Sequence, residues 1–338
     1  MTSLACLAQK QHRIRKIFAS KTVDDFGVFG LNFIMHGVRK LARHHYWELV
    51  LVDNHFPTMW TDALKGYTPS FSRAVGKELW VMVAEKAWAK IHRNYHNISE
   101  NGWVHQCIRE MTGAPGYSYQ TQDNPNQEAN KDLFSIMLDA HKRNYILSAN
   151  HGKWNHSYKR SFPIIGVSDV GGKQLIKMRN PWGKAWDGEP CTDSECWPDT
   201  LTEDLKILEH EEGSYWMCFK YFKTNFAEVM INAYEESNMV TAACVCHEPG
   251  YCTFMTCNLD AGRHTFSLTQ LEKNYRTSPS YDGMGFEPCR LMLVKFKGAS
   301  INDGFEYIQG QKGNEVRDVY IQADLEAGKY GVYAEMDW

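Results

Sequence analysis

Two strand-like runs joined by a pair of glycines constrain this chain most. FPIIGVSDV and KQLIKMRN flank Gly171-Gly172. Consecutive glycines supply the positive φ that a two-residue hairpin turn needs, so the two runs are expected to pair antiparallel. The second run ends in Asn180-Pro181-Trp182-Gly183. A strand end holds an asparagine in place, and a neighbouring tryptophan can shield its amide from water. Asn-Pro is also a common turn dipeptide, so the tetrapeptide taken alone reads first as a plain turn.

Three textures surround that hairpin. Residues 1–112 mix helix and strand. The clearest helical segment is 77–95, KELWVMVAEKAWAKIHRNY, where Leu79, Val83, Ala87, Lys90 and Ile91 fall near one face beside Trp80, Ala84 and Trp88. Before it, the run 49–52 reads as a strand ended by Asp53-Asn54 and Pro57. Residues 113–235 open on the breaker TGAPG and the polar stretch TQDNPNQEANKD, then a helix is predicted over 132–144. Residues 236–338 look all-β. HTFSLTQL, CRLMLVKF, VRDVYIQADL and KYGVYAEMDW alternate apolar and polar residues between turn-rich links, the pattern of an antiparallel β-sandwich.

Composition narrows the function classes. The 338 residues are 43% hydrophobic and 13% aromatic, enough to bury sizeable cores. A formal net charge of −3 gives no basic field for nucleic acid or anionic lipid. No apolar run is long enough for a transmembrane helix, and MTSLACLAQKQHRIR has no signal-peptide pattern. Ten cysteines without a secretory signal favour reduced thiols and a cytoplasmic location. Cys244, Cys246, His247, Cys252 and Cys257 lie close in sequence, but they lack paired zinc-ligand spacing and sit in a strand context, so a structural zinc site is not expected there.

Five blocks carry a family resemblance. LIKMRNPWG with the following AWDG resembles the asparagine block of calpains. VDNHFPT resembles their VDDRLPT, ELWVMVAEKAWAKIHRNY their EFWSALLEKAYAKLNGSY, and EGSYWMCFKYF their DGEFWMSFSDF. SLACLAQKQHRI resembles the stretch after the calpain nucleophile. The matches keep the family's order and cover nearly all of residues 1–235. The chain is therefore similar to a calpain-type, papain-like cysteine peptidase. The resemblance implies an α+β fold with two half-domains, 1–112 and 113–235, forming a cleft, followed by the β-sandwich at 236–338.

The same resemblance assigns roles. Asn180 is the orienting residue and Trp182 its shield. The nucleophile of the family's GDCW motif lies eight residues before the position of Cys6, which falls ahead of Met1, so it is expected to be absent from these residues. Cys6 is expected to face the interior of the following helix. The general base has two registers. Matching HSY to the family's HAY gives His156, whereas matching FPIIGV without gaps puts Arg160 there. Arginine stays protonated and cannot act as a base. His151 is a third candidate. Calcium is implied through Glu78 in the first half, with Asp193 and Glu212 in a depleted second site, where Lys184-Ala185 and Ser214 replace the acidic residues expected. The expected partners are protein substrates or protein ligands in the cleft, with membrane contact through the sandwich as a lesser idea. Two functions follow: a calcium-dependent cysteine endopeptidase inactive without its nucleophile, or a non-enzymatic homologue acting as a protein-binding or regulatory module.

Overall fold

The computed structural model describes residues 1–20, 22, 25–34, 47–73, 76, 78–100, 104–121, 132–151, 161–181, 213–241, 251–270, 285–314 and 316–336. They fall into two compact units, one of residues up to Ile34 and from Glu48 to Met239, the other of Met35–Trp47 and from Val240 onward.

The first unit begins with helices α1 (Thr2–Ala8) and α2 (Gln11–Ile17), strands β1 (Val28–Ile34) and β2 (Trp47–Asp53), and the ribbon β3 (Thr58–Thr61) with β4 (Gly66–Pro69). Helices α3 (Trp80–Ile91), α4 (Tyr95–Glu100) and α5 (Val104–Thr112) follow. Then come β5 (Gly116–Gln120), α6 (Leu133–Lys142), β6 (Ile146–His151), β7 (Ser161–Val170), β8 (Lys173–Arg179), β9 (Ser214–Cys218), α7 (Phe219–Asn225) and β10 (Phe226–Asn232). Six of these strands form one antiparallel sheet in the order β5-β10-β6-β7-β8-β9.

Both faces of the central strands are covered, which is why β6 reads as a nearly continuous buried run. Leu147, Ala149, Val229 and Ile231 point to one side and pack on Phe134 and Met137 of α6 and Phe219 and Phe222 of α7. Each fully buried Val, Leu, Ile, Met or Phe of this cluster contributes about 1.5–3 kcal/mol. The alternate residues Ser148, Asn150, Met230 and Asn232 are buried on the other side, where the Asn232 amide donates to the His105 carbonyl of α5 at 2.9 Å.

The glycine hairpin forms as expected. Gly171 and Gly172 take φ +58° and +81° between β7 and β8, and their Val170↔Lys173 flanks pair directly. A β-bulge lies between Ile164 and Gly166. A Cβ at Gly166 would stand 3.0 Å from Lys177 Cβ and 3.3 Å from the Trp216 ring, so any side chain there would push these neighbours aside by a few tenths of an ångström.

The predicted helix over 77–95 is shorter. It starts at Trp80, where the N-cap Leu79 makes no side-chain capping bond, and Leu79 is left 43% exposed rather than on the buried face. It stops because Arg93 turns to φ +78°, and Asn94 then receives the Asn97 N–H at 2.9 Å. The helix expected over 132–144 begins at Leu133, capped by the Asp132 carboxylate accepting from Phe134 N–H at 3.1 Å, and Asn144 at φ +59° ends it.

The second unit is all strand apart from a short 3₁₀ turn among its described residues. β11 (Cys252–Leu259), β12 (Gly262–Thr269), β13 (Cys289–Phe296), β14 (Phe305–Gly313), β15 (Asp318–Leu325) and β16 (Gly328–Met336) make a four-stranded sheet, β11-β16-β13-β14, and a ribbon, β12-β15. Leu291, Leu293 and Val332 of the sheet share one core with Val319 and Ile321 of the ribbon. Strand β14 was not legible, because FEYIQGQKG alternates poorly and holds two glycines. Cys252 and Cys257 lie five residues apart on β11 and so point to opposite faces, which prevents both from binding one metal ion.

Candidate functional site

Asn180 follows β8, the one strand paired with both β7 and β9. Its N–H donates to the Gly213 carbonyl at 2.7 Å, continuing the β8–β9 ladder one residue past Arg179↔Ser214. The half-buried side chain therefore leaves a backbone fixed on one side by a hydrogen bond and held in line by two neighbouring strands. His151 ends β6, its ring edge-on to Phe226 at 5.5 Å. His156, Arg160, Trp182, Asp193 and Glu212 lie outside the described residues.

A polar relay that sequence reasoning missed lies on the sheet face opposite the α6–α7 core. The Thr2 hydroxyl at the start of α1 donates to the Ser161 carbonyl at the start of β7, at 2.7 Å. The Ser161 hydroxyl donates to Asn150 Oδ1 at 2.5 Å. Asn150 Nδ2 donates to Glu228 Oε2 at 2.6 Å, and Glu228 Oε1 accepts from the Ser118 hydroxyl. The sequence signal was a polar Ser148-x-Asn150 alternation inside an otherwise apolar strand, which is weak unless the covering helices are known.

Cys6 and Cys107 do not supply a thiolate in the interior. Cys6 is fully buried on α1, its Sγ 3.8 Å from the Leu147 carbonyl. Burial pushes its thiol far above the ordinary value. The interior position expected for Cys6 is the one observed. Burial likewise raises the Cys107 thiol to about 12. A thiol held protonated is a poor nucleophile.

Glu78 precedes α3, exposed, with its carboxylate folded against Gly76. Calcium takes about six to eight oxygen ligands. Among the described residues no group of three or more His, Cys, Asp or Glu side chains could hold a metal ion. A cavity of about 530 Å³ lies elsewhere in this unit, lined in part by Asp53, Lys86, Lys90 and Arg93. Lys86 binds Asp53 Oδ1 at 2.6 Å and the His55 carbonyl at 2.6 Å, and Lys90 binds the Leu51 carbonyl at 2.7 Å. These lysines cap the edge of β2, and no residue of that cavity is a candidate site residue.

Comparison with known proteins bears on the whole first unit. The calpain family cysteine protease pattern matches residues 1–233. The rice (Oryza sativa subsp. japonica) calpain-type cysteine protease ADL1 is 24% identical over 243 residues, 68% of this chain and 11% of its own length. Mouse (Mus musculus) calpain-9 is 28% identical over 208 residues, covering 56% of this chain and 29% of that protein. The pig (Sus scrofa) calpain-1 catalytic subunit is 29% identical over 203 residues, 55% of this chain and 27% of the relative. The chain thus spans less than a third of the length of each of these relatives. With the family pattern extending over most of its length, the chain belongs to the calpain family of cysteine proteases.

Proposed function

We propose that this chain forms the protease core of a calpain-type cysteine endopeptidase, two papain-like half-domains around a substrate cleft followed by a β-sandwich. The observation that carries the reading is the family match across residues 1–233 together with an asparagine at the end of a doubly paired strand. The core shared by the four-stranded sheet and the β12–β15 ribbon supports the sandwich.

In this reading Asn180 orients the imidazole of His156, and Trp182 shields that contact from water. The imidazole keeps a cysteine as the thiolate that attacks the peptide carbonyl, then returns the proton to the leaving amine. No cysteine of the 338 residues stands in the family's nucleophile context. These residues alone are therefore expected not to hydrolyse peptide bonds. Protein substrates in a cytoplasmic setting are the partners proposed. Calcium dependence is proposed on the family resemblance and the position of Glu78, and no step of the chemistry is routed through the ion.

The test is calcium-dependent casein cleavage by a polypeptide carrying a Cys-containing segment ahead of Met1. Cleavage abolished by a thiol alkylator supports the peptidase. A second reading, a non-enzymatic homologue that binds proteins, is favoured by one feature. The link between β7 and β8 is the short Gly171-Gly172 turn, which supports the gapless register, the one in which Arg160 would stand at the base position. Absence of cleavage with a correctly placed cysteine would favour that reading.

A further inference from the structure

The relay from Thr2 to Ser118 joins five elements, α1, β7, β6, β10 and β5, through side chains. Asn150 is its centre and is only 5% exposed. Its amide can face two ways. In the observed orientation Nδ2 points at the Glu228 carboxylate and Oδ1 receives the Ser161 hydroxyl. Flipped, Oδ1 would face a carboxylate that can only accept, so the charged group selects the orientation. Glu228 in turn is held by Ser118 from the neighbouring strand. Ser161 then presents its carbonyl to Thr2 in the first turn of α1.

We propose that Asn150 is a positioning residue that clamps the start of β7 to the start of α1, with Glu228 fixing its amide. The significance for catalysis rests on the calpain reading, in which α1 follows the nucleophile and β7 follows the base. Arg160 immediately precedes Ser161, and His156 lies five residues before it. The clamp itself does not depend on that reading. A slack clamp would let the two segments that bring nucleophile and base together drift apart, and misplacement by about 1 Å is enough to slow a reaction about a hundredfold.

Amide hydrogen exchange on the 338-residue chain tests it with Asn150→Asp, Glu228→Gln and the double variant. Asn150→Asp sets a carboxylate beside Glu228 and removes the donor. Exchange in α1 and the first residues of β7 should rise about tenfold or more. The double variant exchanges donor and acceptor between the two positions while leaving an acceptor for Ser161, and should return exchange to within about threefold of the parent. No change in Asn150→Asp, an equal rise throughout α6 and β8, or no recovery in the double variant overturns the clamp. In the cleaving polypeptide described above, Asn150→Asp should lower kcat and leave KM unchanged. If the parent polypeptide fails to cleave while the exchange pattern holds, the peptidase reading fails and the clamp stands.

Discussion

Phe222→Ala offers the sharpest check on how the sheet beneath Asn180 is held. Phe222 is fully buried on α7. Its ring stacks on Phe226 at 4.8 Å and 17° and lies 6.0 Å from Phe219. Truncation removes a large buried side chain from a dense cluster, which costs about 3–5 kcal/mol by lost transfer energy and the cavity left behind. Phe222→Leu nearly conserves volume and loses mainly the ring geometry, about 1–2 kcal/mol. Because the chain has two compact units, a single melting curve would blend them. Amide exchange reads each separately. Protection at Val229 and Ile231, which share the Phe222 cluster, should fall by about two to three and a half orders of magnitude in Phe222→Ala. A loss below tenfold, or an equal loss in β13 of the second unit, would refute the assignment of Phe222 to a core of its own.

Other outcomes follow from the same structure. Lys86 hydrogen-bonds the Asp53 carboxylate and holds it down to about 2. A depressed carboxylate stabilises above its unfolded value, about 3.9, and loses that contribution as pH falls through its folded value. The Asp53 contribution should therefore disappear between about pH 4 and pH 2, and Lys86→Met should return the NMR-measured Asp53 value toward about 3.9; an unmoved titration contradicts the pairing. An alkylating reagent should label exposed Cys252 and spare Cys6 and Cys107 in the native chain, as read by peptide mapping; rapid labelling of Cys6 would contradict its burial. Gly172→Val places a β-branched residue at φ +81° and should cost about 1–2 kcal/mol or more of the first unit's stability, while Gly172→Asn should cost less, as measured by exchange in β7 and β8.

Local signals carried much of the fold. The glycine hairpin, the capped helix after Asp132 and four alternating strands of the second unit could be read from short windows, because turn chemistry and side-chain period act locally. The C-terminal end of α3 could not, since it is set by the left-handed backbone at Arg93 rather than by periodicity. The strand-end position of Asn180 was legible because a turn tetrapeptide follows a strand-like run there. The Asn150 relay was not, because its partners Thr2, Ser161 and Glu228 come together only through the sheet and the packing of α1.

The central claim is that Asn180 orients the base of a cysteine peptidase. NMR of the imidazole nitrogens in the parent chain and in Asn180→Ala tests it without requiring turnover. The account predicts that the His156 resonances change tautomer ratio and titration midpoint when the Asn180 amide is removed. Unchanged His156 resonances, with an Arg160 guanidinium signal responding instead, would contradict it.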